Sequence, residues 1–99
     1  MNLYGYETIT TFWQDFSIAD AFGSAAIQDT FNRAFKEWKS NYKYLTELVL
    51  VLNWKLWEHY EQEHEQIARL YEELWRTANG YAQCNLCGDE LRYFLSVID

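Results

Sequence analysis

LTELVLVLNWKLWEHY, residues 45–60, is the stretch whose reading decides the fold of this chain. Leu45, Leu48, Val49, Leu52, Leu56 and Tyr60 recur at helical spacing, and Leu50, Val51, Trp54 and Trp57 fill the opposite face. A helix that is apolar all round is a central one, so this stretch is expected to be buried on nearly every side. A strand is the competing reading for the short apolar run at 48–52. Length and composition decide against it: residues 41–64 hold no Gly or Pro and are rich in Leu, Glu and Lys, which favour helix. Asn53, Lys55 and Glu58 cut the run well short of the roughly 20 apolar residues that a bilayer span needs. The spacing therefore predicts a core helix over about 42–63.

Outward from that axis, the remaining segments supply partners. Residues 1–10 are Tyr-rich and weakly patterned and predict an N-terminal arm. Thr11 is the candidate cap of a first helix carrying Phe12, Trp13, Phe16 and Ala19 on one face and closed by Gly23. Ser17 and Asp20 have capping-box-like spacing, which leaves open a break that would split this helix in two. Ser24 is expected to cap a second helix with Ile27, Phe31, Ala34, Phe35 and Trp38 as its stripe, ended by Lys39-Ser40-Asn41.

The cleanest amphipathic pattern runs over 66–82, with Ile67, Leu70, Tyr71, Leu74, Trp75, Ala78, Tyr81 and Ala82 on one side. Gly80 within it predicts a bend or a close helix crossing, because mid-helix Gly costs about 1 kcal/mol against Ala. Gly88 then stops the chain and Asp89 caps a last helix over 90–97 that buries Leu91, Phe94 and Leu95. The fold class is all-α: a single-domain bundle of four to five helices spanning 1–99.

Eight Lys and Arg against fifteen Asp and Glu give a net charge of −7. A surface of that sign repels phosphate backbones, which argues against direct nucleic-acid binding. Much of the charge is placed for pairing along helices, as in Asp29–Arg33, Lys43–Glu47 and Glu72–Arg76. Glu58, Glu61, Glu63 and Glu65 are read as lacking a local Lys or Arg, and with Glu72 and Glu73 they form the candidate docking face for a basic partner. No basic stretch leads into an apolar one at the N-terminus, so no secretory signal is expected. With two cysteines and no signal, a reducing cytoplasm is the expected compartment.

Candidate chemistry is sparse. Cys84-Asn-Leu-Cys87 closes a helix, where the dipole has the wrong sign for activating a thiol. His59 and His64 could join Cys84 and Cys87 in a zinc set, against the alternative that the cysteines pack as small hydrophobes. Positions five apart point about 140° from each other on one helix, so both histidines could ligate only if the helix ends between them. Glu61 and His64 make a single E-x-x-H, and a di-iron site needs a second copy that the chain lacks. No nucleophile elbow or phosphate-cradling Gly loop occurs, and both histidines fall in a Glu-rich stretch that reads as solvated. Neither a cofactor nor an enzymatic activity is expected.

Five Trp, eight Tyr and six Phe exceed what short helices must bury. Trp13, Tyr42, Tyr44, Trp54 and Trp57 are the candidates for an exposed or self-associating patch, against the alternative that each is core.

The stretches TTFWQDFSIADAFG (10–23), DTFNRAFKEWK (29–39), YLTELVLVLNWKLWEHY (44–60) and LYEELW (70–75) resemble a group of short, mostly uncharacterised proteins carried on phages and mobile elements of gut bacteria. The resemblance spans nearly the whole chain and rests on sequence texture, with no catalytic motif in it. It implies an anti-defence protein, of the anti-CRISPR or anti-restriction kind. The function expected from residues and resemblance together is a small acidic protein-binding module that occupies a basic surface of a host nuclease. The alternative is a self-associating structural protein without enzymatic activity, in which Trp54 and Trp57 form the contact.

Overall fold

Five helices follow one another in the computed structural model, which describes the backbone of residues 4–98 and the side chains of residues 12–98. They are α1 (Tyr4–Phe22), α2 (Ser24–Trp38), α3 (Tyr42–Glu61), α4 (Glu65–Asn85) and α5 (Asp89–Ile98). The expected bundle is present, and α3 is its axis: it packs on each of the other four helices, most extensively on α4. Leu45, Leu48, Val49, Val51 and Leu52 are almost wholly removed from water. Phe16 of α1, Ile27 of α2, Tyr71 of α4 and Phe94 of α5 close over them, each fully buried. No described helix is long and apolar enough to cross a membrane.

The helix ends follow from local chemistry. Asn41 caps α3, its side chain accepting from the backbone N–H of Lys43 and Tyr44 at 3.1 and 3.4 Å. Gly23 is the single residue between α1 and α2; its φ of 105° is open only to a residue without Cβ, and its carbonyl accepts the first bond of α2 from Ile27. Ser24, the expected cap, is instead the first helical residue.

The α3–α4 turn is a Schellman closure. The N–H of Glu63 donates to the Tyr60 carbonyl at 3.1 Å, and that of His64 to the His59 carbonyl at 2.8 Å. Glu63 stands in the left-handed position, φ 62°, that glycine usually fills.

Several boundaries differ from those the pattern predicts. The first helix begins at Tyr4, so residues 4–10 of the expected arm are helical and Thr11 is no cap, while residues 1–3 lie outside the described residues. Nothing breaks α1 at Ser17. A Cβ on Gly80 would meet nothing within 4 Å, so no close crossing requires it. Leu95 is exposed because α5 offers the core only a narrow face around Phe94. The axis itself is less enclosed than expected: Trp54 and Trp57, on its last turns, face water.

Candidate functional site

The second half of α3 sorts its residues against the usual hydropathic rule. Lys55 and His59, four apart and on one face, turn inward and are buried. Trp54 and Trp57 turn outward and are 60% and 61% exposed.

The inward face works because α1 and α4 supply partners. Lys55 Nζ donates to Asp20 Oδ2 at 3.0 Å and to Ser17 Oγ at 3.3 Å, and Glu58 Oε1 lies 3.5 Å from it. The two residues whose spacing suggested a helix break thus stand one turn apart at the edge of the core, Ser17 exposed and Asp20 half-buried, where they hold the lysine. Tyr71 of α4 donates its hydroxyl to Asp20 Oδ1 at 2.5 Å and stacks on the His59 ring at 5.4 Å. Burial first, and then the bond to Asp20, push the Tyr71 hydroxyl far above the ordinary tyrosine value. Asp20 is therefore the hub, with one oxygen for a phenol and the other for an ammonium.

His59 sits against this hub by its second edge. Its Nε2 is 3.3 Å from Asp20 Oδ2 but makes no hydrogen bond to it. Its Nδ1 meets His64 Nδ1 at 3.2 Å across the α3–α4 turn. Only one of those nitrogens can carry the proton of such a bond. The helix does end between the two histidines, as joint use of them requires, but Cys84 lies in the last turn of α4, about 30 Å along its axis by the 1.5 Å rise, and Cys87 just beyond that end. Both cysteines are free and exposed. The Cys2His2 set is not assembled. His59, taken from the sequence as solvated, is instead buried.

Oxygen and nitrogen atoms of Asp20, Glu58 and His59 lie within 4.8 Å of one another, the described trio that could hold a metal ion. Lys55 already answers those carboxylates: its ammonium is within 3.5 Å of both. The chain itself thus places a cation between the two carboxylates.

The outward face carries the exposed aromatic surface. Trp13 packs edge-on against Trp54, ring centroids 5.7 Å apart, and Tyr60 lies at 5.9 Å from Trp57. Leu56, Trp57, Tyr60 and Trp75 line a groove of about 550 Å³ between α3 and α4, with Asn53, Glu72 and Arg76 at its rim. Tyr60 donates to Glu72 at 2.9 Å, and that bond raises its hydroxyl above the ordinary range, with burial adding to it. Of the aromatic candidates, Tyr44 is not part of this surface; it is buried with its ring edge-on to Trp38. Tyr42 is half-buried against Tyr93.

The glutamates divide. Glu65 pairs with Arg69 at 2.7 Å and Glu72 with Arg76 at 2.8 Å, as their spacing of four allows, and Glu58 pairs with Lys55, so Glu58 and Glu65 do not belong with the unpaired glutamates. Glu61, Glu63 and Glu73 are exposed and make no ion pair among the described residues. No sequence signal could have linked Lys55 to Asp20, 35 positions away. Compared with known family models, curated proteins and solved structures, the chain matches none of them.

Proposed function

We propose that this protein is a small acidic module that acts by binding another protein through the outward face of α3 and the groove beside it. The observation that carries the reading is the exposure of Trp54 and Trp57 on the very helix whose opposite face is the most buried part of the molecule. Tryptophans dominate binding hot spots, and two standing side by side on a pre-folded helix offer large area at little ordering cost. Glu58 and Glu61 beside them, in a chain of net charge −7, make the complementary surface basic.

The narrower form of the reading is a cytoplasmic anti-defence inhibitor of the anti-CRISPR kind, carried by a phage or mobile element. It has no enzymatic activity and occupies the basic channel that a host nuclease keeps for nucleic acid. The net charge and the resemblance of the four stretches support it. The test is a pull-down of the tagged protein from bacterial lysate at low and high salt, with size-exclusion light scattering on the same sample. A basic nucleic-acid enzyme is recovered at low salt and lost as salt rises, and Glu58, Glu61, Glu63 and Glu73→Gln together weaken recovery and flatten its salt dependence. Binding that survives this neutralisation at every salt concentration rejects the anionic face.

The apolar groove at Leu56, Trp57, Tyr60 and Trp75 favours a second reading, a self-associating structural protein. A dimer that persists in high salt and is lost in Trp57→Ala, with no other protein recovered, selects it.

A further inference from the structure

The last two turns of α3 place Trp54, Trp57, Glu58 and Glu61 on one face by their spacing of three, four and seven. With Asn53 these residues line a cleft of about 230 Å³, separate in character from the larger groove beside it. That is smaller than the ~300 Å³ at which pockets for small metabolites begin, and suits a single side chain.

Both indoles are held before any ligand arrives, Trp54 by the Trp13 edge and Trp57 by Tyr60. Each ring contact removes part of the rotamer freedom that binding would otherwise cost. The cleft is also anionic in sum. The Lys55 ammonium is committed to Asp20 at 3.0 Å and stands off Glu58 at 3.5 Å, so one cation is shared by two carboxylates. Glu61 makes no ion pair among the described residues and adds a further negative charge.

We infer that this cleft seats an arginine side chain of the partner protein, its guanidinium against the indoles of Trp54 and Trp57 and its N–H groups on Glu58 and Glu61. The assignment rests on the protein-binding reading above and names the residue of the partner that reading requires. Arginine meets all three demands of the site. Its flat face stacks on indole, its fork can serve two carboxylate acceptors, and its hydration shell is weakly held. Lysine brings the charge as a compact, strongly hydrated point and cannot stack. An apolar side chain would cover Glu58 and Glu61 without replacing the water they lose.

The test is an NMR titration of the isotope-labelled protein, following the five tryptophan indole N–H signals, with three blocked tripeptides: Gly-Arg-Gly, Gly-citrulline-Gly and Gly-Lys-Gly. Citrulline keeps the shape of arginine without its charge. The arginine peptide shifts Trp54 and Trp57 and leaves Trp38 and Trp75 in place; the citrulline peptide binds about tenfold more weakly, with lysine between them. Glu61→Gln and Trp57→Ala each weaken the arginine peptide several-fold. Both are exposed positions, and unchanged circular dichroism verifies that the variants fold.

Equal shifts from arginine and citrulline, shifts centred on Trp75, or no shift at all overturn the arginine seat. If the arginine peptide fails while Trp57→Ala still abolishes capture of the protein partner, the seat is wrong and the binding module stands. If Trp57→Ala leaves that capture untouched as well, both fall.

Discussion

Within six residues, α3 presents two solutions to the problem of placing a side chain against its nature. On the inner face, Lys55 and His59 are charged or polar and buried; on the outer face, Trp54 and Trp57 are apolar and exposed. For Lys55 the inner inversion is answered inside the chain by Asp20 and Ser17, and for His59 in part, by the stacked Tyr71 ring and by His64 at Nδ1. The outer one has no such answer: beyond Trp13, edge-on to Trp54, and Tyr60, tilted against Trp57, the described residues leave most of both indoles to water. A polar residue out of place that is satisfied internally belongs to the fold, whereas an apolar one left unsatisfied points to something that covers it.

The difference can be broken first at the hub. Asp20→Ala should leave the Lys55 ammonium, side chain 6% exposed, with only Glu58 and Ser17, and the buried Tyr71 hydroxyl without its acceptor, and cost about 3 kcal/mol in chemical denaturation. A loss below about 1 kcal/mol would mean that Lys55 swings out to water and that the inner face was never an internal solution. Next is Tyr71→Phe, which leaves Asp20 Oδ1 without its donor and should cost about 1–3 kcal/mol near neutral pH.

The same variant has a pH signature. The Tyr71 hydroxyl is raised above 10.0 in the fold, so the folded protein keeps a proton that the unfolded chain releases. The stability this gives is whole below pH 10 and drains away above it, by about 1.4 kcal/mol per pH unit. Tyr71→Phe should flatten that alkaline decline, as read from unfolding midpoints between neutral pH and pH 11.

Smaller still is Glu63→Gly, which relieves the left-handed residue of the turn and should raise stability by about 1 kcal/mol. On the outer face, Trp57→Ala should change stability by only about 0.5 kcal/mol while abolishing capture of the partner. A large destabilisation there would place Trp57 in the fold and remove the contrast.

The two faces were unequally legible in the sequence. The apolar spacing of Leu45 to Leu56 and of Ile67 to Ala82 predicted α3 and α4 closely, since periodicity is a local property that burial then enforces. The start of α1 was hidden because Tyr4–Thr10 lacks an apolar stripe, although its backbone is helical. Trp54 and Trp57 were singled out correctly as candidates for a surface and, in the same reading, wrongly as walls of a buried axis. A helical wheel cannot tell which apolar face finds a neighbour.

The buried cluster was illegible. Lys55 looked like the residue that interrupts an apolar run, and Ser17 with Asp20 looked like a cap, because each takes its meaning from a helix 35 or more positions distant. Sequence reasoning that prices a lysine as solvated has no local sign that a half-buried carboxylate waits for it on another helix.

The two free thiols at the end of α4 set a practical condition on all of this. Cys84 and Cys87 are exposed, so air oxidation can couple one molecule to another through sulfur. A dimer seen without reductant would then come from handling, with the tryptophans playing no part in it. The same thiols, at the opposite end of α4 from the histidine turn, accept a fluorescent maleimide on the native sequence, and the protein then reports its own binding without an engineered cysteine.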